Sequence, residues 1–140
     1  MNTLELEHRF EEIYGKRAEH TYFAPGRVNL IGEHTDYNGG LVFPCALSFG
    51  TYLLIANRSY TANANAFEDK PTAWIKYPIG VMKEFAERGS DVWGYDLLYY
   101  GNIPNGAGLS SSASIEVVTA VMLNDVTKVH LDMTELVKIS

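Results

Sequence analysis

Two short stretches of the chain concentrate groups that can do chemistry. The first is Pro104 to Ser114, where Gly106, Ala107 and Gly108 precede Leu109 and three consecutive serines, Ser110, Ser111 and Ser112. Residues this small let backbone approach a ligand closely. The serines stand where a helix should begin. Unpaired N–H groups at a helix N-terminus point outward, and the helix dipole there favours an anion. Serine hydroxyls add further donors and possible metal ligands. The combination suits phosphate. It is not a Walker A loop: Gly101 and Gly106 have the spacing, but Ala107-Gly108 stands where Lys-Ser/Thr should be. It is not a dinucleotide fingerprint either, because G-x-G-x-x-G fails at Ser111. The plainer alternative is a helix start with serine caps.

The second stretch is Gly26 to Gly40, which holds Arg27, Glu33, His34 and Asp36 close together. Carboxylates and an imidazole at a turn suit a sugar, whose hydroxyls both donate and accept. A metal site ranks lower, since E-H-x-D matches no strong metal pattern. The plainer alternative is a charged surface hairpin. Trp74 and Tyr77 follow a polar loop, at the start of a helix. They can stack on a base or serve as ordinary boundary aromatics.

The elements that must position these groups follow from pattern. Residues 3–14 read as a helix, with Leu6, Phe10 and Ile13 on one face, a capping box from Asn2 and Glu5, and Gly15 as a stop. Thr21 to Gly32 reads as strand and turn, broken at Pro25-Gly26. Asn38-Gly39-Gly40 is a hairpin signal, and Leu41 to Asn57 gives one or two β-rich stretches. Residues 58–73 read as a loop. Tyr77 to Arg88 reads as a helix on Ile79, Met82, Phe85 and Ala86, and Gly94 to Gly101 as a strand. The serine loop then enters a long helix with Ile115, Val118, Met122 and Val126 on one stripe, widened by Val117 and Val121. Asp132 and Glu135 mark another helix start, with Leu136, Val137 and Ile139 opening its apolar face. The chain stops soon after, which reads as a piece of a longer protein.

Composition bounds the rest. The chain has 140 residues, of which 46% are hydrophobic and 20% charged, the balance of one globular domain. A net charge of −6 and the absence of a basic stripe argue against nucleic acid. A single cysteine, Cys45, allows no intrachain disulfide and fits a reducing cytoplasm. The acidic start MNTLELEHRFEE is no signal peptide. Leu41 to Ala56 is the most apolar stretch, but Pro44, Ser48 and Gly50 interrupt it and it falls short of the roughly 20 residues of a membrane span.

Taken together, the two motifs resemble the galactokinases, a branch of the GHMP small-molecule kinases. APGRVNLIGEHTDYNGG, residues 24–40, resembles the galactokinase signature. IPNGAGLSSSASIEV, residues 103–117, resembles the phosphate-binding motif of the wider family. The resemblance implies an α+β fold: a mixed sheet with helices packed on it, in the N-terminal domain of a two-domain kinase. Residues 1–140 then form an incomplete N-terminal domain, with no C-terminal domain in this chain. It also implies the reaction of ATP with D-galactose, with Mg²⁺ as cofactor. Glu33, His34, Thr35 and Asp36 would hold the sugar, and Arg27 would stabilise the transferring phosphoryl. Gly106, Ala107, Gly108, Leu109, Ser110, Ser111 and Ser112 would wrap the ATP phosphates, with Ser112 reaching Mg²⁺. Trp74 and Tyr77 would lie near adenine. The family's catalytic aspartate lies downstream of this chain, so residues 1–140 alone are expected to be inactive. The segment between Asn57 and Trp74 is shorter than such kinases usually show. The resemblance further implies a cytoplasmic, monomeric full-length enzyme with no membrane or nucleic-acid partner. Alternatives are a kinase for a related sugar such as N-acetylgalactosamine, a non-catalytic galactose and ATP sensor, and an inert remnant.

Overall fold

The computed structural model describes residues 1–32, 38–58, 74–92, 94–104 and 108–140. The element order is α1 (Thr3–Tyr14), β1 (His20–Ile31), β2 (Phe43–Asn57), α2 (Lys76–Glu87), β3 (Tyr95–Gly101), α3 (Ser111–Thr127) and α4 (Met133–Ile139). The fold class is α+β, as expected. The described strands form one sheet in the order β1-β2-β3. Both ladders are antiparallel, so among the described residues the sheet is not the mixed one expected.

Local chemistry sets the helix ends. Asn2 accepts from the Glu5 N–H while Glu5 accepts from the Asn2 N–H, and Gly15 closes α1 in the left-handed region. Asp132 and Glu135 repeat this reciprocal cap at α4. The helix faces follow the sequence pattern less closely than the ends do. On α1, Leu6 and Phe10 are buried, but Ile13 is exposed and Tyr14 packs in its place. On α2, Met82 and Phe85 are buried as expected and Ala86 packs beside them, joined by Pro78 and Val81, while Ile79 is half-buried. On α3, Val118 and Met122 are buried as expected, joined by Ser114, Thr119, Ala120 and Leu123, while Ile115 and Val126 lie nearer the rim. The helix is covered on more than one side, by the sheet, α2 and α4.

β2 is the central strand, and its alternation explains the apolar run from Leu53 to Ala56. Leu53 and Ile55 face one core, with α2, α3 and α4. Leu54 and Ala56 face a second, with Leu6 and Phe10 of α1. A strand covered on both faces needs apolar residues at every position. From Phe43 on, the Leu41 to Ala56 stretch is therefore sheet; no helix among the described residues is long and apolar enough to cross a membrane. Beyond Gly50 the β1–β2 pair runs on without β3, and this arm exposes Leu30, Ile31 and Phe43.

Pro25-Gly26 does not break β1. The strand runs through it, with a register shift between Pro25 and Arg27. Proline has no N–H to donate, but β1 is an edge strand, where an irregular ladder is tolerated. Gly39 at the hairpin signal takes a positive φ of 72°. The expected loop at 58–73 falls, apart from Arg58, outside the described residues.

Two contacts tie α3 to β1. Ser114 Oγ, buried, donates to the Ala24 carbonyl at 2.7 Å and lies 2.9 Å from Thr51 Oγ1. Ser114→Ala should destabilise the fold by about 1–3 kcal/mol, because it strands buried acceptors. Urea unfolding checks this, and a change below about 0.5 kcal/mol, the range of an ordinary surface substitution, contradicts it. At the other end, Tyr22 Oη donates to Asp125 Oδ2 at 2.7 Å. That bond, with Lys128 beside it, holds the Asp125 carboxyl below its ordinary value. A depressed folded-state pKa adds stability above the unfolded value, near 3.9, that is lost as pH falls through the depressed one. Tyr22→Phe should return Asp125 toward ordinary titration and weaken its contribution to the acid limb. An NMR titration of the Asp125 carboxyl that is unchanged in this variant would refute the assignment.

Candidate functional site

The site forms where the β1 irregularity meets the loop before α3. The Arg27 N–H donates to the Leu109 carbonyl at 3.2 Å. Gly26 is buried there, and a Cβ on it would lie 2.9 Å from that same carbonyl oxygen and 3.1 Å from Ile103 Cδ1. The glycine is needed for close approach. Behind it, Asn102 extends the ladder: its N–H donates to the Gly50 carbonyl at 3.1 Å, and its Oδ1 accepts from the Gly50 N–H at 2.8 Å. These bonds fix where the loop leaves β3. Two motifs far apart in sequence are thus in backbone contact.

Serine capping of α3 is not what the structure shows. Ser110 occupies the N-cap with a φ of 58° and makes no side-chain cap bond. The first helical bond is Ser114 N–H to the Ser110 carbonyl, at 3.0 Å. Among the described residues, the N–H groups of Ser111, Ser112 and Ala113 have no recorded acceptor. This leaves the N-terminal donors of a 17-residue helix available to an anion.

A cavity of about 390 Å³ opens beside this helix start. Ser111 and Ser112 line one part of it, and Trp74, Tyr77 and Tyr99 line the rest, with Ile103, Ile115, Thr51 and Gly101 between. Trp74 packs edge-on against Tyr99 with centroids 5.8 Å apart. Two of the three sequence-predicted serines, Ser111 and Ser112, therefore meet the predicted aromatics Trp74 and Tyr77 in one cavity, and Ser110 is not in its lining. Sequence reasoning missed Tyr99, Thr51, Ile103 and Ile115. Alternation along β3 was the available signal for Tyr99, since Tyr95, Leu97 and Tyr99 all face the α3 core. A second cleft over α1, lined by Glu7, His8 and Glu11 among others, includes neither motif.

Arg27 is exposed, and among the described residues its guanidinium has no partner. Gly108 takes a φ of 65° on the approach to Ser110. Glu33, His34, Thr35 and Asp36, with Gly106 and Ala107, lie outside the described residues. Among the described residues, no group of three histidine, cysteine or carboxylate side chains could hold a metal. Glu116, four residues past Ser112, has its carboxyl pushed up by burial.

Comparison with known proteins decides the family. The galactokinase galactose-binding signature matches residues 8–57, and the GHMP kinases N-terminal domain matches residues 76–140. The chain belongs to the galactokinase family of GHMP kinases. A galactokinase of Fusobacterium nucleatum is 51% identical over 148 residues, covering 92% of this chain and 38% of its own length. One of Clostridium tetani is 47% identical over 156 aligned residues that take in 100% of this chain and 40% of the relative. That alignment is longer than the 140-residue chain, so the relative carries residues with no counterpart here. Among solved structures, Lactococcus lactis galactokinase complexed with galactose superposes with a TM-score of 0.84 at 35% identity, covering 97% of this chain and 40% of that one. Mevalonate kinase of Methanococcus jannaschii shares the fold, with a TM-score of 0.67 at 21% identity. The chain spans about 40% of the length of these galactokinases and corresponds to their N-terminal part.

Proposed function

We propose that this chain supplies the N-terminal part of a kinase that transfers the γ-phosphoryl of ATP to the C1 hydroxyl of D-galactose, giving α-D-galactose 1-phosphate and ADP. One observation carries the reading: backbone contact between Gly26-Arg27 and Leu109 sets the sugar signature beside the phosphate loop. Donor and acceptor of a phosphoryl group must meet within a few ångströms, so their binding motifs must touch.

Each part of the site has a role that its chemistry suits. The helix start and its serines bind the ATP phosphates, together with Gly106 to Leu109. Trp74 and Tyr77 receive the base. Glu33, His34, Thr35 and Asp36 hold the sugar hydroxyls, and a hydroxyl in the wrong place leaves a buried acceptor unpaired. The C1 oxygen forms the new bond to phosphorus as the bond to the β-phosphate oxygen breaks. Arg27 carries a permanent positive charge on a planar fork of donors, suited to the phosphoryl oxygens. The Ser112 hydroxyl and the nucleotide phosphate oxygens are the hard oxygens Mg²⁺ takes, and the ion when bound would neutralise phosphate charge. The base that takes the sugar proton is assigned to no residue of this chain. Residues 1–140 alone are expected to show no turnover. The reading includes a cytoplasmic, monomeric enzyme.

The test is sugar-dependent ADP release by the gene product that carries this chain, with galactose, N-acetylgalactosamine and glucose in parallel. Galactose-dependent release supports the reading. Preference for another sugar, or binding of galactose and ATP without release, overturns it.

A further inference from the structure

The aromatic wall of the cavity has a member outside both sequence motifs. Tyr99 lies on β3 and faces the α3 core. Its ring meets that of Trp74 edge-on, at an interplanar angle of 64°. Its hydroxyl lies 2.9 Å from Thr119 Oγ1 on α3. Thr119 commits its own hydrogen to the Ile115 carbonyl, 2.7 Å away, so Tyr99 is the donor. Burial pushes the Tyr99 phenol up to about 12, and the donor proton stays in place at neutral pH. Thr119 is fully buried, and Ile115, one turn before it, lines the same cavity as Ser111 and Ser112. A single side chain therefore touches both the aromatic wall and the helix that carries the serines.

Trp74 is 47% exposed, and among the described residues Tyr99 is its recorded ring contact. An unbraced surface indole samples several rotamers, and a ligand that stacks on it must bear the cost of ordering it. The Tyr99 hydroxyl is already engaged, so it is not free to read a ligand. Its ring and its anchor are what it contributes.

We propose that Tyr99 is a positioning residue for the nucleotide end of the cavity: it braces Trp74 edge-on and, through Thr119, holds that wall at a fixed distance from the serine end of α3. This rests on the reading that the cavity takes ATP. The residue acts on the nucleotide and leaves the sugar side alone.

The test uses the gene product that carries this chain, with ATP and galactose kinetics and direct ATP binding measured side by side. Tyr99→Leu removes ring and anchor, and should raise KM for ATP about tenfold while kcat and KM for galactose stay within about twofold. Tyr99→Phe keeps the ring and should recover most of the loss. Trp74→Leu should resemble Tyr99→Leu, and the double variant should be no worse than either, because both remove one wall. If Tyr99→Leu fails to fold, Thr119→Val cuts the anchor with both rings in place and should raise KM for ATP about threefold. Additive losses, an unchanged KM for ATP, or equal damage to both substrates would overturn the proposal. A wild-type protein that binds no ATP overturns the nucleotide reading and this inference with it. A wild type that binds ATP, with Tyr99→Leu binding equally well, overturns the Tyr99 role alone.

Discussion

In the gene product that carries this chain, Arg27→Ala should lower kcat for the proposed galactose phosphorylation by about 10³-fold, in the range seen when a charge-stabilising arginine is removed from a phosphoryl-transfer site. That is about 4 kcal/mol of transition-state stabilisation. The substitution should be clean. The side chain is exposed, and among the described residues it makes no ion pair or hydrogen bond whose loss would disturb the fold. Its backbone pairs with Ala46 in the β1–β2 ladder and donates through its N–H to Leu109, and alanine keeps both. Thermal stability should therefore move by no more than about 0.5 kcal/mol. Galactose binding should survive, because the charge acts on the phosphoryl rather than on the sugar hydroxyls. Arg27→Lys should recover only part of the rate, since an ammonium is a point charge and lacks the planar fork. Steady-state kinetics with calorimetric galactose binding checks this. A kcat within a few-fold of wild type would remove Arg27 from the mechanism.

Gly26→Ala should damage both fold and nucleotide binding. Its Cβ would sit 2.9 Å from a backbone oxygen, that of Leu109, and 3.4 Å from another, that of Phe49. Backbone cannot swing aside as a side chain does, so either β1 or the phosphate loop must shift. Overpacking of this kind costs about 1–3 kcal/mol. The shift also moves the loop that leads into Ser110, so KM for ATP should rise, on the order of tenfold, given how steeply rate and binding depend on placement. Gly80→Ala provides the control. Gly80 lies in α2, and a Cβ there meets nothing within 4 Å. That variant should gain roughly 0.5–1 kcal/mol from helix propensity and leave ATP kinetics alone. If the Gly26 variant is as stable and as active as wild type, the close approach of strand and loop is not a working part of the site.

Local rules made much of this chain readable. Both capping boxes, Asn2 with Glu5 and Asp132 with Glu135, act over three residues, and the helices begin where those pairs stand. Gly15 ends α1 for a reason contained in one residue, its freedom to adopt a positive φ. Faces were harder. Ile13 and Tyr14 are adjacent on α1, and either could have continued the line from Leu6 and Phe10. Tyr14 is the one that packs, because its hydroxyl reaches the Leu97 carbonyl at 2.6 Å. Pro25 reads as a break in any strand, and only its place on an edge strand lets β1 run through it.

The sequence by itself determined the family, the helix ends and the types of group available for chemistry, because motifs and caps are encoded by neighbours along the chain. The tertiary structure alone decided what those groups meet. Arg27 donates to Leu109, and Ser114 reaches Ala24 across 90 positions of sequence. It also decided that the serines leave the start of α3 open instead of capping it, and that Tyr99 backs Trp74. Such contacts depend on how the sheet and helices pack, and packing is settled by shape and burial summed over the whole core, which no local pattern of residues records.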